Sequence, residues 1–267
     1  MKKVTRTILS MLCTAALAGC SQKLKFGTAG IGGNYHAFGE KFAEIAKEKA
    51  GMEIDVRETA GSAANLRLLK DNYIQLAIAQ MDVVSEAYDP SFSGYSAIAG
   101  LYTEYVQIAA SDASIASVSD LRGKTVSIGE EESGTERNAK QVLQAYGLSD
   151  TLVRTKNMSY AQAAEAMKDG EIDAMFVTAG VQTAVLEDLA RNMSISFISL
   201  DQNAVSILTE SYAFYSDGVI PAGTYTGQNA DVRTVGIPSV LLVYSLVKSI
   251  EIMQSSLCFF RKIPSGA

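Results

Sequence analysis

Apolar positions along the chain switch between two spacings, and each spacing predicts its own element. Residues 24–28 read as a short strand, and a glycine-rich stretch runs from Ala29 to Asn34. Phe38, Phe42, Ile45 and Ala46 then recur at helical spacing, which predicts a helix over 35–50 stopped by Gly51. Residues 52–57 alternate as a strand. Residues 62–71 carry Ala63, Leu66 and Leu69 on related faces of a second helix, and 74–79 form a third strand. Three strand–helix steps in such a short span predict parallel pairing through right-handed crossovers. A loop over 88–100, rich in Ser, Tyr and Gly, leads to a strand over 105–110.

A second series follows. It predicts strands over 125–128, 152–156, 172–177 and 195–198, with helices over 134–146, 160–168 and 181–190, the first two closed by Gly147 and Gly170. From Ala222 the pattern changes to a polar turn and then a long β-rich run over 232–245. The two series predict an α/β protein of two similar lobes. Lobe I comprises residues 20–107 and 213–267 and lobe II residues 108–212, with the chain crossing near 108 and again near 212. A single doubly wound sheet is the alternative.

The first nineteen residues stand apart from this pattern. Lys2, Lys3 and Arg6 precede an apolar run over 8–18 with no acid before Cys20, which is the layout of a secretory signal and too short for a comfortable membrane span. Leu17-Ala18-Gly19-Cys20 is similar to the lipobox of bacterial lipoproteins, which makes Cys20 the expected lipidation site. An ordinary signal cleaved after an alanine is the plainer alternative. Acylation by several chains would hold the protein on a membrane almost irreversibly. Cys258 is then the one cysteine left of three, so neither an internal disulfide nor a cysteine metal site is expected.

The composition removes several function classes. Hydrophobic residues make up 48% of the 267 and charged residues 19%, which excludes a disordered chain or a coiled coil. Lys and Arg number 23 against 29 Asp and Glu, a net charge of -6, so the basic field that nucleic acid demands is missing. Gly30-Ile31-Gly32-Gly33-Asn34-Tyr35 holds only the first two glycines of a dinucleotide fingerprint, and no phosphate-binding Gly-Lys-Ser/Thr follows any glycine run. Hydrolase and zinc-protease motifs are missing, and His36 is the single histidine. Glu130-Glu131-Glu132 reads as a solvated loop before a helix, because adjacent acids do not face one another. No cofactor, no metal and no enzymatic activity are expected.

Three helix starts supply the candidate chemistry. Gly33-Asn34, Gly61-Ser62 and Ser133-Gly134 place small residues where free backbone N–H groups meet the positive end of a helix dipole, a setting that holds carboxylate or phosphate without a basic side chain. Ordinary capping explains each start taken alone. Together they follow successive strands, so all fall on the C-terminal edge of a parallel sheet, where open α/β sheets bind ligands. Tyr35, Gln80 and Thr135 are expected to give such a site direction, and His36 is a further candidate.

Several stretches carry a family resemblance. Phe26-Gly27-Thr28-Ala29-Gly30-Ile31-Gly32-Gly33-Asn34-Tyr35, Glu58-Thr59-Ala60-Gly61-Ser62-Ala63-Ala64-Asn65 and Ile74-Gln75-Leu76-Ala77-Ile78-Ala79-Gln80-Met81-Asp82 resemble the TAXI solute receptors of TRAP transporters. So do Val126-Ser127-Ile128-Gly129, Ser133-Gly134-Thr135-Glu136 and Asp173-Ala174-Met175-Phe176-Val177-Thr178-Ala179-Gly180, in the family's order. The resemblance implies a type II periplasmic-binding-protein-like fold whose two lobes close on a small organic anion and deliver it to membrane permease subunits. It implies glutamate, glutamine or a dicarboxylate-like solute, and it adds Asn65, Met81, Thr178 and Gly180 to the candidate site. It also implies a monomeric receptor, anchored in the periplasm or on the cell surface. An adhesive or immunogenic surface lipoprotein and an enzyme on the same bilobal fold are the rival readings. The chain departs from the family in two places. Gln182 stands where the family often has proline, and the tail over 248–267 does not resemble the family's C-terminal helices, so a frameshift or premature stop is expected.

Overall fold

The computed structural model describes residues 23–87, 94–149 and 151–245. The signal segment, Cys20 and the tail from 246 onward, including Cys258, lie outside them. In chain order the elements are β1 (Leu24–Gly27), α1 (Asn34–Ala50), β2 (Ile54–Arg57), α2 (Ser62–Lys70), β3 (Leu76–Gln80), α3 (Met81–Glu86) and β4 (Tyr95–Ala110). A short 3-10 turn over Val118–Leu121 precedes β5 (Thr125–Ser127), α4 (Gly134–Ala145), β6 (Arg154–Lys156), α5 (Tyr160–Lys168) and β7 (Ala174–Ala179). The chain continues through α6 (Ala184–Asn192), β8 (Ser196–Phe197), α7 (Gln202–Ser211), β9 (Ser216–Ile220) and β10 (Val232–Tyr244).

The strands join in the order β2-β1-β3-β10-β4-β7-β5-β6, with β8 beside β4 and β9 beside β10. Pairing is parallel within β2-β1-β3 and within β7-β5-β6, as the strand–helix rhythm predicts. It turns antiparallel where β10 meets β3 and β4 and where β4 meets β7. The architecture is two α/β lobes on one curled mixed sheet. β4 belongs to both: residues 95–105 pair with β10, and residues 105–110 pair with β7.

Alternation along the central strands builds a core on each face of the sheet. In β3, Leu76 and Ile78 pack under α1 with Phe26 and Tyr35, while Ala77 and Ala79 pack under α2 with Leu66 and Leu69. In β7, Ala174 and Phe176 meet Val142 of α4, and Met175 and Val177 meet Met167 of α5 and Leu186 of α6. The helix ends follow local rules. Gly51 adopts φ 63° to close α1, where its N–H reaches the carbonyls of Ala46 and Lys47. Ser159 and Gln162 form a reciprocal capping box at the start of α5.

Local pattern misleads in four places. The expected loop over 88–100 is strand from Tyr95 onward, because small residues (Ser96, Ala97, Ala99, Gly100) and two register shifts against β10 hide its alternation. The helix expected from 181 starts at Ala184; Gln182 sits at φ 58°, a value a proline ring forbids, which accounts locally for glutamine at this position. The strand expected over 172–177 lies two residues later, at 174–179. α3, α7 and β9 have no counterpart in the sequence reading. Among the described residues, no helix is long and apolar enough to cross a membrane.

Candidate functional site

The C-terminal ends of β1, β2, β3, β5, β6 and β7 converge on one cavity, as the parallel pairing requires. It is a narrow, partly open cleft with about 50 Å³ of interior room. Gly33, Asn34 and Tyr35 enter from the start of α1 and Gly61 and Ser62 from the start of α2. Gln80 closes β3, Glu104 projects from β4, and Ser133, Gly134 and Thr135 open α4. Tyr160 of α5 and Thr178 of β7 complete the far wall. Both halves of the sheet therefore contribute to the cavity.

Glu104 is the chemical centre of the floor. It is 2% exposed, and one carboxyl oxygen accepts a hydrogen bond from the Tyr35 hydroxyl at 3.1 Å. Burial pushes its pKa up to about 8, only partly opposed by the hydroxyl of Tyr35 and the side chain of Gln80. Burial likewise pushes the Tyr35 and Tyr160 phenols up, so both hold their protons at neutral pH. On the opposite wall the Thr135 hydroxyl lies 2.6 Å from the Tyr160 hydroxyl. The Tyr160 hydroxyl donates to the Thr178 carbonyl at 3.0 Å, and the Thr178 N–H donates to Thr135 Oγ1 at 3.3 Å. Two buried lining atoms, Gln80 Oε1 and Thr178 Oγ1, have no hydrogen-bond partner among the described residues.

The three helix starts differ in what remains free. Gly33 caps α1 with no side-chain bond, leaving that end to the cavity. At α4 the Ser133 hydroxyl accepts from Glu136 N–H at 2.9 Å, so its oxygen is engaged in capping. At α2 the N–H groups of Ala63 and Ala64 both donate to the Glu132 carbonyl, at 3.1 and 3.2 Å. Glu132 holds φ 64° in doing so, and its side chain pairs with Arg67 at 2.7 Å. This clasp links the loop before α4 to the start of α2.

Ten of the candidate residues line the cavity: Gly33, Asn34, Tyr35, Gly61, Ser62, Gln80, Ser133, Gly134, Thr135 and Thr178. Four lie behind it. Asn65 is wholly buried and donates to the carbonyls of Thr28 and Ile78, holding two strands together. Met81 packs against the core beneath α2. Gly180 accommodates Asn34, whose Nδ2 would stand 2.8 Å from a Cβ at that position. His36 points along α1, its Nε2 4.0 Å from Glu40. Sequence reasoning missed Glu104, Glu130, Met158, Ser159 and Tyr160. A lone acid such as Glu104 carries no motif, Glu130 read as part of a solvated loop, and Tyr160 read only as the first residue of a helix. Among the described residues, no group of three or more His, Cys, Asp or Glu could hold a metal ion.

The structure is similar to the alkanesulfonate-binding protein SsuA from Xanthomonas axonopodis pv. citri bound to MOPS, with TM-score 0.54 and 15% identity over 88% of this chain and 70% of that one. It is also similar to the ligand-binding component of an ABC-type import system from Staphylococcus aureus, with TM-score 0.52 and 10% identity over 86% and 68%. A third likeness is to the GluR0 ligand-binding core from Nostoc punctiforme in complex with L-glutamate, with TM-score 0.50 and 15% identity over 83% and 84%. At these identities the likeness is one of fold, and the fold is type II periplasmic-binding-protein-like. The sequence itself matches the NMT1-like family over residues 26–250, which is most of its length. The chain belongs to the NMT1-like family.

Proposed function

We propose that this protein is a non-enzymatic, extracytoplasmic solute receptor of a TRAP-type secondary importer, of the TAXI kind. Its solute is a small carboxylate held between lobe I (20–107 and 213–267) and lobe II (108–212). The observation that carries the reading is the cavity itself: both halves of the sheet line it, and the starts of α1 and α4 open onto it. Such helix ends bind carboxylates through backbone amides. The named likenesses to an alkanesulfonate-binding protein and to a glutamate-bound ligand-binding core support a receptor for small solutes. Gly33, Asn34, Tyr35, Gly61, Ser62, Gln80, Ser133, Gly134, Thr135 and Thr178 form the proposed contact set. Lipidation at Cys20 would keep the receptor beside its permease subunits.

The test is a thermal-shift screen of the full chain against amino acids and dicarboxylic acids. A solute at a hundredfold excess over its Kd adds about 2.7 kcal/mol of stability, several degrees in Tm. A saturable shift with one class of carboxylate is the expected result. An adhesive surface lipoprotein predicts no shift with any of them, and that outcome would overturn the proposal.

A further inference from the structure

The β2-β1-β3 half of the sheet and the β7-β5-β6 half meet beside the cavity on two flanks, and the flanks are joined differently. On one, α2, β3 and α3 meet α4 and the loop before it through direct polar bonds. The Ala63 and Ala64 N–H groups donate to the Glu132 carbonyl at 3.1 and 3.2 Å, and Arg67 holds both carboxylate oxygens of Glu132, at 3.1 and 2.7 Å. Deeper in, Asn138 donates to Asp82 at 3.0 Å and accepts from Gln80 at 3.1 Å, while Arg137 pairs with Asp82 and Glu86. Gln80, Asp82 and Asn138 are all buried. Asn138 also donates to Tyr215, which immediately precedes β9, so this seam runs from the long strands outward to the rim. At the rim Glu132 holds φ 64°, a conformation that a glutamate keeps only where its surroundings over-determine it.

The opposite flank is built otherwise. There the loop before α1 faces α5 and α6, and among the described residues no hydrogen bond or ion pair joins residues 29–35 to α5, α6 or β7. The approach is one of small groups: a Cβ on Gly32 would lie 3.9 Å from Val185 Cβ, and one on Gly33 would lie 3.6 Å from the Tyr160 ring. Gly30 sits between carboxyls of the two halves, where a Cβ would stand 3.8 Å from Glu58 Oε1 and 3.5 Å from Glu130 Oε2. Burial, and after it the charge of Glu58, pushes the Glu130 pKa up, so these like charges resist approach. Ile31 and Val181, in the two facing segments, are exposed apolar side chains.

We infer that the cleft opens on one flank only: the halves turn about the α2–α4 seam together with β4 and β10, and the loop before α1 swings away from α5 and α6. Parting that flank breaks van der Waals contact and relieves repulsion. Parting the seam leaves two helix-start amides, a buried carboxyl and the Gln80 amide short of partners. The entrance to the cavity then lies between Gly30–Gly33 on one side and Tyr160 and Val185 on the other, whatever solute the cavity takes.

Residue-resolved hydrogen exchange on the full chain tests this, because the Ala63 and Ala64 amides are bonded across the seam. Their protection is expected within about tenfold of that at Val142 and Leu143 in α4, and a larger shortfall would overturn the inference. A second measurement uses Gly32→Cys with Val185→Cys, whose Cβ separation of 3.9 Å suits a disulfide. Oxidising that pair fastens the free flank. Exchange at Ala63 and Ala64 should stay within about twofold of the reduced form; greater slowing would show that both flanks part together and would overturn the inference. Small-angle scattering should give a smaller radius of gyration for the oxidised form than for the reduced one. Equal radii would mean that the free flank does not open, which overturns the inference as well. Gly32 sits at φ 91°, which strains a cysteine there, and the wild-type exchange still decides whether the seam parts if that variant fails to fold.

Discussion

Replacing Asn138 with leucine removes a buried junction and keeps much of its volume. Asn138 is fully buried in α4 and makes three side-chain hydrogen bonds: it donates to Asp82 Oδ2 at 3.0 Å and to the Tyr215 hydroxyl at 2.7 Å, and accepts from Gln80 Nε2 at 3.1 Å. The Tyr215 hydroxyl keeps its bond to Gln141, so its loss is small. Gln80 Nε2 is left without that acceptor, at about 1–3 kcal/mol, and the Asp82 carboxyl loses a bond worth about 1.5–3 kcal/mol. Asp82 is 5% exposed, and burial already holds its pKa above the ordinary range against the pull of Arg137. Added apolar burial offsets about 1–2 kcal/mol. The net cost is about 2–4 kcal/mol, a large part of the roughly 5–15 kcal/mol that holds a domain together. With no tryptophan in the chain, urea unfolding is followed by tyrosine fluorescence and circular dichroism. A double-mutant cycle with Asp82→Asn should show coupling of at least about 1 kcal/mol. A cost below about 1 kcal/mol with additive behaviour would refute the claim that Asn138 ties β3, α3 and α4 together.

Other perturbations read different parts of the site. Alanine at Gly134 would put its Cβ 1.6 Å from Gln80 Oε1, and Gln80 is tied to Asn138, so Gly134→Ala should cost at least about tenfold in affinity for the best solute by calorimetry. Glu104 keeps its proton in the folded state up to about pH 8 but loses it near pH 4.5 when unfolded, so it removes about 1.4 kcal/mol of stability per pH unit as pH rises through that window. Denaturant curves of Glu104→Gln should therefore gain on the wild type by that slope between pH 5 and 7; a constant difference would refute it. Gln182→Gly should stabilise by about 0.5–1 kcal/mol by relieving a positive φ, checked by Tm. Saturating solute should reduce the radius of gyration in small-angle scattering if the lobes close about β4 and β10.

The parts of the fold that repeat locally were legible. The Gly51 stop of α1, the β1–α1–β2 step and the convergence of small-residue helix starts on one sheet edge all follow from short-range pattern. Glu104 was not legible, because it is a lone acid just outside the strand expected over 105–110, with no motif around it. It is covered by β10, which pairs Ile237 opposite it, and by Tyr35 and Gln80, all distant in sequence. The clasp at Glu132 was hidden in the same way: the run of three glutamates reads as solvated loop, whereas the carbonyl of the third seats the start of α2.

The position of β10 dictates an order of events during synthesis. This last described strand lies between β3 and β4, and Tyr244 pairs with Tyr95, about 150 residues earlier in the chain. Until the ribosome has passed residue 244, β3 and the first ten residues of β4 have no strand between them and present open edges. Such edges are templates for pairing with other chains. Late, concerted closure of the sheet ends that exposure, and slow synthesis of the segment before residue 244 would prolong it. A chaperone that shields β3 and β4 should raise the yield of folded protein more than one that shields α5 and α6.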